Sequence, residues 1–197
     1  MSQSRLKHVV IIGGGFGGLR AAQALAHSPV NVTVVDRGRS HVFQPLLYQV
    51  ATGSLAEADI TAPLAGVLRQ QKNARVITAE VIDIDPDGHR VILDTGEITY
   101  DTLIVASGVS HHYFGHDEWE AIAPGLKTIE DARAMRGRIM AAFHAADATD
   151  DLPERRAQQT FVIVGGGPTG VELAGALGEL AHRTLRNQFH NCDTADS

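Results

Sequence analysis

A chain of 197 residues can form one large domain or two small ones around a substantial core. Its 44% hydrophobic and 20% charged residues are ordinary globular usage, which excludes disordered and fibrous classes. The net charge of −6, with acids and bases interleaved, speaks against a nucleic-acid surface and leaves no polybasic segment for an anionic membrane.

Arg5 and Lys7 precede an apolar run, Val9 to Ile12, that is too short for a signal sequence and reads as a strand. It opens into Gly13-x-Gly15-x-x-Gly18 and a stretch of helix formers. A second strand is expected at Val32–Val35, ending in Asp36. An irregular or helical stretch follows from Phe43 to Gly53, and then a helix over Leu64–Gln71. Strands are expected at Arg75–Ile84, His89–Leu93 and Glu97–Tyr100, with turns at Asp85–Gly88 and Asp94–Gly96. Leu103–Ala106 is wholly apolar, as in a parallel sheet covered on both faces. Ala132, Met135, Ile139 and Phe143 give Ile129–Asp147 a helical spacing, and polar Thr149–Gln159, with Pro153, reads as a linker. A strand over Phe161–Val164 and a helix striped by Val171, Ala174, Leu177 and Leu180–Ala181 complete the order. No apolar stretch approaches the ~20 residues that span a bilayer, so this segment is expected to be soluble. The lone cysteine, Cys192, excludes an intramolecular disulfide and a paired-cysteine redox centre, and suits a reducing compartment.

The chain repeats itself. IIGGGFGGLRAAQALA and VIVGGGPTGVELAGAL share one pattern, so that Gly13 recurs as Gly165, Gly15 as Gly167 and Gly18 as Gly170. In such a fingerprint the first glycine makes the tight turn out of a strand. The second lets the backbone approach a pyrophosphate, and the third allows close helix–strand packing. The pyrophosphate then meets free amides at the helix start. Asp36, about 20 residues on, suits the adenosine ribose hydroxyls, and its position favours that role over merely opening the Arg37-Gly38 turn. Arg37 lies either against the adenine or in solvent. In the second fingerprint Pro168 suits a helix start, and no ribose-binding acid follows in the sequence. Glu172 has two readings, a carboxylate favoured near a helix N-terminus or a group beside a bound nicotinamide. His111, His112 and His116 lack the cysteines or spaced carboxylates of a metal site, and none is expected.

HVFQPLLYQVATG (His41–Gly53), YDTLIVASG (Tyr100–Gly108), HHYFGHDEWE and APGLKTIEDA, with both fingerprints, resemble the type II NADH:quinone oxidoreductases of the two-dinucleotide flavoprotein superfamily. The resemblance implies FAD at the first fingerprint and NAD(H) at the second. It assigns Gly13, Gly15, Phe16, Gly17 and Gly18 to the FAD pyrophosphate, Asp36 and Arg37 to the adenosine end, and the Val81 backbone to adenine. Gln44 and Pro45, within Gln44–Ala51, would run beside the flavin ring. Ala106-Ser107-Gly108 stands for the second FAD motif, usually Ala-Thr-Gly, with serine keeping the hydroxyl. Gly165, Gly167, Pro168, Thr169 and Gly170 would hold NADH, and Glu172, the candidate catalytic residue, matches a glutamate near the nicotinamide–flavin contact.

These readings make the fold α/β: a doubly wound, parallel-sheet, Rossmann-like FAD-binding domain at 1–148 with a small antiparallel insertion. A linker at 149–159 and the first strand and helix of a second, NAD-binding unit at 160–197 follow. The superfamily's third FAD motif is absent from the sequence, so the FAD domain is expected to lack its final strand and the chain to be a fragment. The implied activity is hydride transfer from NADH to FAD and electron delivery to a quinone, without proton pumping, on the cytoplasmic side and peripheral to the inner membrane. The intact protein would meet the membrane surface through other segments. The alternatives keep this flavin chemistry with ferredoxin or another protein acceptor, or make the chain an inactive nucleotide-binding fragment. No nucleic acid is expected as a partner.

Overall fold

The run KHVVII forms β1 (Lys7–Ile12), whose residues Val9–Ile12 are all buried. The computed structural model describes residues 5–197 and places β1 inside a four-stranded sheet. The order is β5 (Ala74–Thr78), β2 (Val30–Asp36), β1, β9 (Thr102–Val105), and every neighbouring pair is parallel. Parallel strands deliver all their carboxyl ends to one edge, where an open α/β sheet presents its ligand crevice. The first fingerprint, Asp36 and Ala106 therefore arrive together.

Alternation along the strands divides the apolar residues between two faces. Val9, Ile11, Val32 and Val34 pack with Leu19 and Ala22 of α1 (Phe16–Ala24) and with Leu68. Val10, Ile12 and Val35 pack with Ala79, Val91 and Leu93. The latter face is covered by an antiparallel sheet of β6 (Val81–Asp85), β7 (Arg90–Leu93) and β8 (Gly96–Thr99). A small antiparallel pair, β3 (Ser40–Val42) and β4 (Thr61–Pro63), leads into a short helix, α3 (Leu64–Val67).

Three expectations change here. Arg75–Ile84 is two strands in different sheets, because the chain breaks at Ala79 and Glu80: the Ala79 amide donates to the Asp36 carbonyl and the Glu80 carbonyl accepts from Asp94. The helix expected over Leu64–Gln71 stops at Val67, and Leu68 leaves helical geometry at ψ 2°. The β9 strand is only partly covered: it stands at the sheet edge beside β1, with Leu103 and Ile104 half-buried on opposite faces and Val105 61% exposed.

The chain forms two compact units, residues up to 42 with 61–109, and 43–60 with 110–197. The stretch 43–60 thus joins the second unit. That unit is helical. A 3-10 turn, Gln44–Leu46, precedes α2 (Leu47–Thr52), which ends on Gly53 in the left-handed region at φ +78°. The long helix α4 (Ile129–Ala148) buries Ala132, Ile139, Phe143 and Ala146. Phe143 and Ile139 share a core with Leu180, Ala181 and Leu185. The expected linker contains a helix, α5 (Leu152–Gln159), started by Pro153 and anchored by the buried Gln159 amide on the Asp193 carbonyl at 2.5 Å.

The helix of the second repeat forms as α6 (Pro168–Glu179) and runs into a π turn, Leu180–Thr184. The strand expected at Phe161–Val164 does not. Among the described residues no strand pairs with it, and Val162 and Val164 are 82% and 79% exposed. An apolar β-branched run becomes a strand only where a neighbour accepts its backbone bonds. The expected stripe is also partial: α6 itself buries none of its residues and Val171 is exposed, while Leu180 and Ala181, in the π turn, are buried.

Candidate functional site

The first fingerprint leaves β1 through Gly13 at φ +102°, and its amide donates to the Val35 carbonyl at 2.8 Å. A side chain here would strike the carbonyl of Ala106. One at Gly18 would strike the Gly13 carbonyl. These two glycines are therefore required by the turn itself. Gly15 is different: its φ is −69°, and an added Cβ would meet no protein atom within 4 Å. Its missing side chain leaves room for an incoming group, as close approach of a pyrophosphate requires.

Gly15 is the N-cap of α1, where no side chain caps the helix and no acid occupies the first turn. Helix geometry leaves the first-turn amides without intrahelical acceptors, and the macrodipole adds partial positive charge. By contrast, α4 begins with Thr128 Oγ1 accepting from the Asp131 amide and the Asp131 carboxylate accepting from the Lys127 and Thr128 amides. The chain satisfies that helix start with side chains and leaves the start of α1 without a side-chain cap.

Asp36 is built into the loop. Its carboxylate accepts from the Gly14 amide at 2.6 Å and from the Gly38 amide at 2.6 Å. Two bonds leave lone pairs on both oxygens, so the side chain keeps acceptor capacity for ribose hydroxyls. Arg37 is exposed and has no hydrogen bond to a described residue. A feature without a sequence signal appears at His41, whose Nδ1 lies 3.0 Å from the Gly14 carbonyl and must donate to it. Its ring meets the edge of Phe16, centroids 5.0 Å apart. The Gly14 backbone is thus held on both sides of its Cα, N–H by Asp36 and C=O by His41.

Ala106 joins this cluster, its amide donating to the Ile12 carbonyl at 2.8 Å, and Gly108 turns the chain at φ +80°. Ser107 and Gly108 are exposed beside the fingerprint. Val81 opens β6 opposite Leu93, two residues beyond Ala79 and its bond to Asp36. The structure therefore brings Gly13, Gly15, Phe16, Gly17, Gly18, Asp36, Val81, Ala106, Ser107 and Gly108 into one unit.

Gln44, Pro45 and the second fingerprint belong to the other unit. The Gln44 amide donates to the Lys127 carbonyl at 3.3 Å, and Pro45 lies in the 3-10 turn. The second turn repeats the first: Gly165 has φ +106°, and Gly167 caps α6 with φ −74° and no side-chain cap. A Cβ at Gly170 would strike the Gly165 carbonyl, while one at Gly167 would meet nothing within 4 Å. The contrast is at Gly165, where nothing stands in the place that the Ala106 carbonyl takes against Gly13. Pro168 and Thr169 start α6, and Glu172, expected in its first turn, falls in the second and is exposed.

The remaining candidates are engaged elsewhere. His111 Nε2 stands 3.6 Å from the Asp131 carboxylate, His112 meets the ring of Phe114, and His116 stacks on Trp119 at 4.2 Å. Cys192 is buried under the Phe143 carbonyl, and burial pushes its thiol pKa up, away from the reactive thiolate.

Comparison with known proteins agrees with this geometry. Residues 7–189 match the family model described as pyridine nucleotide-disulphide oxidoreductase. Type II NADH:quinone oxidoreductase NdhA of Mycobacterium tuberculosis is 52% identical over 185 residues, covering 92% of this chain and 39% of the relative. Type II NADH:quinone oxidoreductase Ndh of the same organism is 48% identical, covering 96% and 42%. NDH2 of Plasmodium falciparum, solved with NADH, superposes with a TM-score of 0.84 at 22% identity, over 94% of this chain and 39% of that one, a likeness of fold. The chain spans about two fifths of the length of the curated relatives it matches. It belongs to the pyridine nucleotide-disulphide oxidoreductase family and, within it, aligns with type II NADH:quinone oxidoreductases over nine-tenths of its own length.

Proposed function

We propose that this chain is part of an FAD-dependent oxidoreductase that takes two electrons from NADH and passes them to a quinone without pumping protons. The observation that carries the proposal is the repeated helix start, uncapped, free of acids and opened by a left-handed glycine at both Gly13 and Gly165. The names of the two mycobacterial relatives support the choice of electron donor and acceptor.

The first-turn amides from Gly15 to Gly18 would hold the FAD pyrophosphate, with Gly13 setting the turn. Asp36 would accept from the adenosine ribose, Arg37 would lie at the adenosine end, and the Val81 backbone would meet adenine. Ala106, Ser107 and Gly108, with Gln44 and Pro45, would line the flavin. Gly165, Gly167, Pro168, Thr169 and Gly170 would hold the NADH pyrophosphate in the same way, and Glu172 would stand near the nicotinamide. When bound, FAD supplies the two-electron chemistry, and the protein's part is binding, orientation and electrostatics. We retain 1–148 as the FAD unit, 149–159 as its connector and 160–197 as the start of the NAD(H) unit. Because the acceptor is lipid-soluble, we place the whole protein at the cytoplasmic side of the inner membrane, peripherally. Among the described residues no helix is long and apolar enough to cross a membrane.

The test is anaerobic. Protein loaded with FAD should bleach at the flavin band when NADH is added and regain colour with a soluble quinone analogue. Bound flavin that NADH leaves oxidised would overturn the reading. Bleaching without reoxidation by quinone would move the acceptor to another class.

A further inference from the structure

At the opposite end of the parallel sheet lies a cavity of about 400 Å³ that the dinucleotide reading does not use. It is separated from the fingerprint by the length of β1, roughly 17 Å at the rise of a strand. Arg5, His8, Lys72 and Arg75 line it, and no carboxylate does, in a chain whose acids outnumber its bases 23 to 17. The volume lies within the range of small-molecule sites.

The cations are not equivalent. Arg5 is bound to both oxygens of Asp101 at 3.0 Å, and Asp101 also accepts from the His8 amide at 2.6 Å. That acid is fully engaged, and these contacts hold its carboxyl below the ordinary range, the His8 amide bond contributing most. Lys72 has no ion pair or hydrogen bond to a described residue. Arg75 makes one bond, from Nε to the Thr33 hydroxyl at 2.9 Å, and Thr33 is 1% exposed. A hydroxyl that accepts from Arg75 still has its own proton to give, and His8 Nε2 at 2.7 Å is in reach. The buried threonine thus orients Arg75 through Nε, and the Nη edge of the guanidinium has no partner among the described residues. A planar pair of donors beside a free ammonium matches a phosphate group, taken bidentately by arginine and as a point charge by lysine.

We propose that this cavity is a further, independent site for a small phosphate-bearing molecule, held by Arg75 and Lys72 with Thr33 as the positioning residue. It does not depend on FAD or NADH binding at the fingerprints.

Amide NMR of the labelled chain reads the two ends of the sheet separately. Titration with inorganic phosphate should give saturable shifts at Thr33 and at residues 73–75. AMP in a parallel arm binding more tightly at these signals would identify a phosphate ester, and equal affinity would identify the free anion. K72Q, at an exposed position, and R75Q should each weaken phosphate at least tenfold. T33V should weaken it several-fold although it changes no charge, whereas R186Q, an exposed cation of the other unit, should leave it unchanged. Shifts confined to residues 13–18, no shifts at all, or an R186Q effect equal to that of K72Q would overturn the proposal. So would a T33V chain that binds phosphate as the parent does.

Discussion

The Gly14 backbone shows how single residues prepare a binding loop. Its N–H is taken by Asp36 at 2.6 Å and its C=O by His41 at 3.0 Å, which fixes the direction of the amides that follow. A hydrogen bond to a charged acceptor contributes about 1.5–3 kcal/mol. Asp36→Ala removes two of these and the proposed ribose acceptor, so FAD should bind at least tenfold more weakly while far-ultraviolet circular dichroism stays native. His41→Phe keeps a ring against Phe16 but loses the donor, and a smaller loss of affinity is expected. Fluorescence titration with FAD measures both. Equal affinity in either folded variant would remove that residue from the loop's support. The acid was legible in the sequence because it follows a strand at a known spacing. The histidine was not, since nothing in a chain marks a ring nitrogen for a carbonyl 27 residues away.

Elements were legible where their signals are local. The run Val9–Ile12, the glycine turns and the apolar spacing of α4 each specify a conformation from neighbouring residues alone. Phe161–Val164 carries the same β-branched signal but no neighbour to pair with, and α5 hides in polar sequence whose only cue is a proline near the helix start. If the segment is unpaired as described, Val162→Ser and Val164→Ser should each change stability by less than about 0.5 kcal/mol. A buried strand would lose about 1.5–3 kcal/mol per side chain, and denaturant unfolding separates the two. At the start of α4, partial burial raises the Asp131 carboxyl, but bonds from Lys127, Thr128 and His111 together outweigh it and hold the pKa below its ordinary 3.8. A group depressed in the folded state stabilises fully above its unfolded value, and that stability is lost as pH falls through the folded value. Tm should therefore drop on acidification below about pH 4, less so in Asp131→Asn. Thr128→Ala should cost about 1 kcal/mol at neutral pH. A Tm unmoved by acid in the parent chain would contradict the cap.

At the scale of the molecule, one turn is built twice and its surroundings differ. Around Gly13 the turn sits among paired strands and against Ala106, whereas around Gly165 the same dihedrals stand with no strand beside them among the described residues. The backbone geometry therefore belongs to the glycine sequence itself, and the neighbouring strands supply the rest of a site. The central claim is that the first of these turns is shaped for a flavin dinucleotide and not merely for folding. Gly15 separates the two, because a methyl group there meets no protein atom within 4 Å and φ is ordinary for alanine. The most direct measurement is equilibrium dialysis against FAD of the parent chain and Gly15→Ala, with thermal unfolding of each as the check on folding. The parent should retain flavin, and the variant should unfold at the same temperature yet bind at least tenfold more weakly. A parent that retains no flavin, or a folded variant that retains it equally, would contradict the account.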